Sequence, residues 1–196
     1  MNSELKKRIV TSIFLISLLT LMFFYSFIMI TSLIIIALII WVESYALISK
    51  ILKMNSIKDK FLRFLFKSIS LLYLSLLVYL LFLIEAYYFN LKIYVLYSVL
   101  VAILSDIGGL IFGKTFKGKK LTKISPNKTI AGSVGSFIFS LFLIPFFYSE
   151  FTQHTVLVLI LITITISTTS QLGDLFISYL KRKAKVKDTS NILPGH

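Results

Sequence analysis

From Ile9 to Val42 the chain carries no charged residue. As one helix, Ile9–Ser49 would be about 60 Å long, twice the roughly 30 Å hydrocarbon core of a bilayer. The pattern therefore predicts two helices divided near Phe24–Ile28, although no Gly or Pro marks the division. Further apolar spans cover Ser68–Ile84, Leu91–Phe112, Ile130–Tyr148 and Thr155–Leu180. A basic connector (Lys50–Lys67), a short polar break (Glu85–Asn90), a second basic loop (Gly113–Lys128) and a turn (Ser149–His154) separate them. No repeat or low-complexity tract interrupts the order. The expected fold is all-α, a polytopic membrane helical bundle of about six transmembrane helices in one domain over residues 1–196.

Composition agrees. The chain is 57% hydrophobic and only 15% charged, against about 45–50% and about 25% in soluble domains. It has no cysteine, which excludes disulfides and thiolate metal sites, and its two histidines, His154 and His196, are too few for a histidine-built centre. The first apolar run far exceeds the roughly 7–15 residues of a signal-peptide core, so no cleavable signal is expected.

The net charge of +13 raises nucleic acid as a partner, but its distribution gives a simpler account. With the N-terminus cytoplasmic, the inside segments are Met1–Arg8, Lys50–Lys67, Gly113–Lys128 and Lys181–His196. They hold every Lys and Arg except Lys92. This is the bias that orients membrane proteins. No nucleic-acid partner is expected, and the bilayer is.

Three acids lie within apolar segments: Glu43, Asp106 and Asp174. Each costs on the order of 2.5–3.5 kcal/mol at mid-bilayer unless it finds a cation, a metal, a proton or water. They precede Lys50, Lys114 and Lys181 by seven or eight residues, which puts all three about 10–12 Å below the cytoplasmic edge. A polar cavity open to the cytoplasm requires such a shared depth. Plain pairing with a neighbouring helix is the alternative for each, and the role of Glu43 stays open.

Asp174, Ser178, Lys181 and Arg182 stand at i, i+4, i+7 and i+8, one helix face. The carboxylate suits Mg²⁺, the hydroxyl and cations suit phosphate, and Arg grips phosphate through two parallel bonds. Lys183 and Lys185 need no more than their place at the end of a span. Gly108, Gly109 and Gly113 allow close approach of either a helix or a ligand. In Lys123–Thr129, Ser125, Asn127 or Thr129 can cap the next helix, and a helix start with a lysine beside it attracts anions. Residues 132–136 offer a small face for packing.

The stretch from Ser178 to His196 resembles the signature of the phosphatidate cytidylyltransferase (CDP-diacylglycerol synthase) family, S-x-x-K-R-x4-K-D-x5-P-G-H-G-G-x-x-D-R-x-D. Ser178, Lys181, Arg182, Lys187, Asp188, Pro194, Gly195 and His196 match it. Asp106–Gly113 and Lys123–Thr129 resemble two further family stretches in the same order. The resemblance implies an Mg²⁺-dependent enzyme of phospholipid biosynthesis that joins CTP to phosphatidate, giving CDP-diacylglycerol and diphosphate. It implies catalytic roles for Asp174, Lys181, Arg182, Lys187 and Asp188. Asp174 is the implied metal ligand. Contacts to CTP or lipid phosphate fall to Asp106, Ser125, Asn127, Lys128, Thr129, Ser178, Asn191 and His196. The implied place is the bacterial inner membrane, with the site facing the cytoplasm; homo-oligomerisation stays open.

The sequence departs from the family twice. Ala131 stands where K-T-x-E-G carries an acid, and the sequence stops before G-G-x-x-D-R-x-D, whose acids join the one matching Asp174 in holding metals. The expectation is a cytidylyltransferase domain lacking that C-terminal helix and impaired in this form. A lipid or ion transporter and a non-catalytic membrane subunit or remnant are the alternatives.

Overall fold

A computed structural model of the chain describes residues 3–53, 56–122 and 124–186. Among these, seven α-helices follow in order: α1 (Ser3–Phe24), α2 (Ser26–Ile51), α3 (Ile57–Tyr87), α4 (Lys92–Phe116), α5 (Ile130–Leu141), α6 (Ile144–Phe147) and α7 (Val156–Lys183). Among the described residues, five segments are long and apolar enough to cross a membrane: Ser26–Ile51, Ile57–Tyr87, Phe89–Phe116, Ile130–Phe147 and Val156–Lys183. Val10–Phe24 is a shorter apolar stretch. The protein is a multi-pass helical membrane protein. Its contacts divide it into two compact units, one up to Lys92 and again from Lys183, the other Ile93–Arg182. Nothing in the hydropathy pattern marks that division.

In the first unit the expected break falls at Tyr25, a single residue in extended geometry (φ −121°, ψ 107°). The helical ladder continues on both sides of it, with Tyr25 N–H donating to the Leu21 carbonyl at 2.9 Å and Met29 N–H to the Tyr25 carbonyl at 3.0 Å. A kink of this kind needs neither Gly nor Pro. α3 starts eleven residues before the apolar span that predicts it, because Ser56 caps it by accepting the Asp59 N–H at 3.1 Å. Lys and Arg are good helix formers, so most of the basic connector is helix. At 31 residues α3 is about 46 Å long, and its basic end extends beyond the apolar slab.

α2 and α3 pack as an antiparallel hairpin whose register is set by polar pairs. Arg63 donates to Ser49 Oγ at 2.7 Å, Lys67 lies over the Tyr45 ring at 3.1 Å, and at the far end Ser26 donates to Glu85. Moving four residues along one helix meets four residues back along the other, as in-register helices require.

Glu85 and Lys92, expected in and beside a polar break, are instead buried as an ion pair at 2.9 Å, with side chains 3% and 7% exposed. Glu85 lies in the last turn of α3, Lys92 begins α4, and the 3-10 turn Phe89–Leu91 folds one back onto the other. Lys92 was the one cation left on the wrong side by the orientation rule, and its charge is cancelled locally. Removing one partner of a buried pair strands the other charge, at about 3–5 kcal/mol. Lys92→Met should therefore lower the thermal unfolding temperature in detergent sharply. Lys92→Met with Glu85→Leu should recover most of the loss; no recovery would mean that the pair is not what the site supplies.

The second unit centres on Tyr97, Val101, Ile144, Phe151 and Leu159. Across the α4–α7 seam, the Tyr97 hydroxyl meets Thr163 Oγ1 at 2.5 Å and Ser105 Oγ meets Ser167 Oγ at 2.9 Å. Of the hydroxyls that crowd α7, Thr165, Thr168 and Thr169 bond back to their own helix. The expected fifth span divides into α5 and the single turn α6, where Pro145 has no N–H to offer the ladder.

α4 and α5 meet through small residues. A Cβ on Gly108 would run into the Gly135 carbonyl and Phe139, and one on Gly132 would lie 2.8 Å from the Gly109 carbonyl oxygen. Helix packing thus accounts for Gly108 and Gly135, and it brings the adjacent polar residues of α4 and α5 together.

Candidate functional site

The loop between α4 and α5 turns at Lys117 and Gly118, both with positive φ. It closes on itself through Leu121 N–H to the Lys128 carbonyl (2.8 Å) and Ile130 N–H to the Lys119 carbonyl (3.0 Å). Lys128 N–H then donates to the Ser125 carbonyl at 3.0 Å, which tightens the turn around Pro126 and Asn127. Of the three candidate caps it is Thr129 that starts α5, its Oγ1 accepting the Gly132 N–H at 3.0 Å. Lys128 is thereby fixed one residue before a helix N-terminus, where oriented N–H groups already favour anions.

Lys128 Nζ lies 2.8 Å from Asp174 Oδ2, and both side chains remain partly open. They line a cavity of about 220 Å³ within the second unit. Asp106 and Gly109 come from α4, Asn127, Lys128 and Thr129 from the loop, Ser133 and Ser136 from α5, and Gln171 and Asp174 from α7. Asp106 interacts electrostatically with both Asp174 and Lys128, so two acids and one cation share one field.

Behind them runs a chain of hydrogen bonds. Ser133 Oγ donates to Gln171 Oε1 at 2.6 Å, Gln171 Nε2 donates to Ser167 Oγ at 3.3 Å, and Ser167 meets Ser105, the neighbour of Asp106. These contacts tie α5, α7 and α4 together beneath the carboxylates.

The structure therefore brings together Asp106, Asn127, Lys128, Thr129 and Asp174 of the expected set. Ser125 is a turn residue whose N–H donates to Thr122 Oγ1 at 3.2 Å, and it does not line the cavity. Ser178, Lys181 and Arg182 continue along α7 past Asp174 and also lie off the cavity wall. Lys187, Asp188, Asn191 and His196 lie outside the described residues. Glu43 belongs to the first unit, so of the three acids at one depth only two meet in this cavity.

Sequence reasoning missed Ser133 and Gln171 as wall residues. Gln171 stands three residues before Asp174 and Ser133 four after Thr129, spacings that put each on its neighbour's helix face. Ala131, which replaces the family acid, does not line the cavity.

The donors on this wall are carboxylate, amide and hydroxyl oxygens. That set fits Mg²⁺, which takes one or two carboxylates and completes its shell with water and substrate phosphates. Among the described residues no group of three His, Cys, Asp or Glu could hold a metal, so phosphate oxygens would have to supply part of the shell.

In this multi-pass membrane protein, two acids and a helix-start lysine thus share one cavity. The family model for the cytidylyltransferase family matches residues 1–196, and the chain belongs to that family. It is 45% identical over 106 residues to a phosphatidate cytidylyltransferase of Staphylococcus haemolyticus, a match covering 53% of this chain and 40% of the relative. It is 46% identical over 99 residues to one from Rickettsia bellii, covering 46% and 43%. A third, from Staphylococcus aureus, is 42% identical over 106 residues, again 53% and 40%. The match thus spans about two fifths of the length of these relatives. No solved structure matches the chain significantly.

Gly132 and Gly173 give opposite expectations for one substitution. Gly132→Ala places a methyl 2.8 Å from the Gly109 carbonyl and 3.2 Å from Thr129 Oγ1. It should cost about 1–3 kcal/mol in thermal unfolding as α4 and α5 move apart. Gly173→Ala meets nothing within 4 Å and should be neutral or stabilising by about 0.5–1 kcal/mol. Equal effects would mean that close α4–α5 packing does not carry the site.

Proposed function

We propose that this chain carries the nucleotide-transfer site of a phosphatidate cytidylyltransferase, which converts CTP and phosphatidate to CDP-diacylglycerol and diphosphate in bacterial phospholipid synthesis. The observation that carries the reading is the meeting of Lys128, Asp106 and Asp174 in one cavity beside the start of α5. An oxygen of the lipid phosphate attacks the α-phosphorus of CTP, a P–O bond forms there, and the bond from that phosphorus to the β-phosphate bridge breaks. Diphosphate leaves.

The work of the protein is to hold two anions in line and neutralise them. Lys128 and the N-terminal amides of α5 attract the phosphates, and Asn127 and Thr129 sit where they can orient them. Asp106 and Asp174, with the oxygens of Ser133 and Gln171 near by, are the residues that would hold Mg²⁺. Bound there, the ion supplies charge neutralisation of the phosphates and of the leaving diphosphate. A phosphate reaching Lys128 would compete with Asp174 for the ammonium, so the Lys128–Asp174 pair opens as substrate binds.

Lys181 and Arg182, further along α7, extend the basic run toward the lipid headgroups. The distribution of Lys and Arg supports a cytoplasmic opening, which suits one soluble and one lipid substrate. On this reading the protein resides in the bacterial inner membrane.

Binding of labelled CTP to the purified chain in detergent with Mg²⁺, and transfer of label from CTP into lipid, test this reading. Lys128→Met should weaken CTP binding about tenfold or more, as expected for loss of a charge-assisted phosphate contact. Asp174→Asn should cut label transfer by on the order of a hundredfold or more, while CTP binding in the absence of metal should be no weaker, since Lys128 loses a competing carboxylate. No CTP binding by the parent chain, or binding indifferent to Lys128, would overturn the assignment.

A further inference from the structure

Two buried donors in the α2–α3 hairpin go unused. The Nε–H of Arg63 and the indole N–H of Trp41 are shielded from solvent and have no hydrogen-bond partner among the described residues. Both lie on the seam between the helices, since Trp41, Tyr45 and Ser49 share one face of α2, and Arg63, Lys67 and Leu71 share one face of α3. Arg63 uses one Nη on Ser49, and Lys67 stacks on Tyr45. Two cations one turn apart therefore stand at the same end of the seam.

Below this cationic end the seam opens into a groove of about 550 Å³, walled by residues such as Ile34, Leu38, Trp41, Leu71, Leu74 and Val78. Its lining is apolar but for Ser75 and the tip of Tyr79. It shares no residue with the cavity of Asp106 and Asp174.

A purely apolar occupant would leave the Arg63 and Lys67 charges at the end of the groove uncompensated, which is costly where water is scarce. A soluble anion would leave the groove empty. A molecule with an anionic head and a hydrocarbon tail satisfies both ends, and the membrane supplies it. We propose that the α2–α3 hairpin is a binding site for a diacyl phospholipid with an anionic headgroup, its phosphate on Arg63 and Lys67 and an acyl chain in the groove beside Trp41.

Trp41 is the chain's single tryptophan, so its emission reports this groove alone. The full chain would be placed in bilayers that mix an unlabelled lipid with either dibrominated phosphatidylglycerol or dibrominated phosphatidylcholine, and bromine quenching of Trp41 measured as a function of composition. The anionic lipid should win the site by about fivefold, the contribution expected for a surface cation meeting an acidic headgroup. Arg63→Gln with Lys67→Gln should bring the ratio close to one, with helix content by circular dichroism unchanged. Equal quenching by the two lipids in the parent chain would mean that Trp41 sees only ordinary bilayer and would overturn the proposal. So would a preference that survives the double substitution, or no quenching by either lipid, which would mean that protein covers the groove.

Discussion

A carboxylate inside a hydrocarbon-width helix needs a partner, and the partners that two such acids find organise both units of the molecule. In the first unit Glu85 is met by Lys92 and Ser26, which joins the end of α3 to the start of α4 and fixes the far end of the α2–α3 hairpin. In the second, Asp174 is met by Lys128 across 46 positions of sequence, which fixes the α4–α5 loop against α7. The two pairs differ in the respect that matters for function. The first is sealed, with both side chains almost wholly buried, and serves structure. The second is half-open and borders a cavity, so an incoming anion or cation can exchange with either partner.

The same constraint explains how polar residues are used between helices. Hydroxyls at Tyr97, Thr163, Ser105 and Ser167 meet one another across α4 and α7. In apolar surroundings such contacts add directional preference to packing, where no hydrophobic drive distinguishes a helix from lipid. The glycines supply what hydrogen bonds do not, a short distance between backbones. At Gly108, Gly109, Gly132 and Gly135 the two helices come so near that a methyl group has no room. That closeness lets Asp106 on α4 and Ser133 on α5 look into one small cavity. The Gln171 amide, held at both ends, then sets the position of α7 against them.

Membership of the cytidylyltransferase family gives these features a common purpose. The reaction we propose would bring a soluble polyanion to a lipid phosphate, which calls for positive charge beside the membrane. On the proposed function, Lys128, the start of α5 and an ion held by Asp174 meet that need. On the two proposals, the basic run past Asp174 on α7 and the cationic end of the α2–α3 hairpin would each meet lipid headgroups.

Much of this was legible in the chain. The apolar lengths give the spans, because they depend on one residue and its neighbours within a helix, and the shared depth of Glu43, Asp106 and Asp174 points to a meeting that only the last two make in this cavity. What the sequence could not give is which residue meets which. Thr129 rather than Ser125 as the cap, Lys128 as the partner of Asp174, Gln171 as a wall, and Lys92 as a buried partner rather than an outward loop residue all depend on contacts between distant segments. Helix ends moved for the same reason: a hydropathy window finds where a helix meets lipid, while a cap such as Ser56, or a proline such as Pro145, decides where it begins and stops. The sequence by itself determined the membrane-spanning helical fold and the family. The tertiary structure decided which acids and cations share a cavity, because in an apolar medium a charge is placed by the partner that neutralises it, and that partner is chosen by packing.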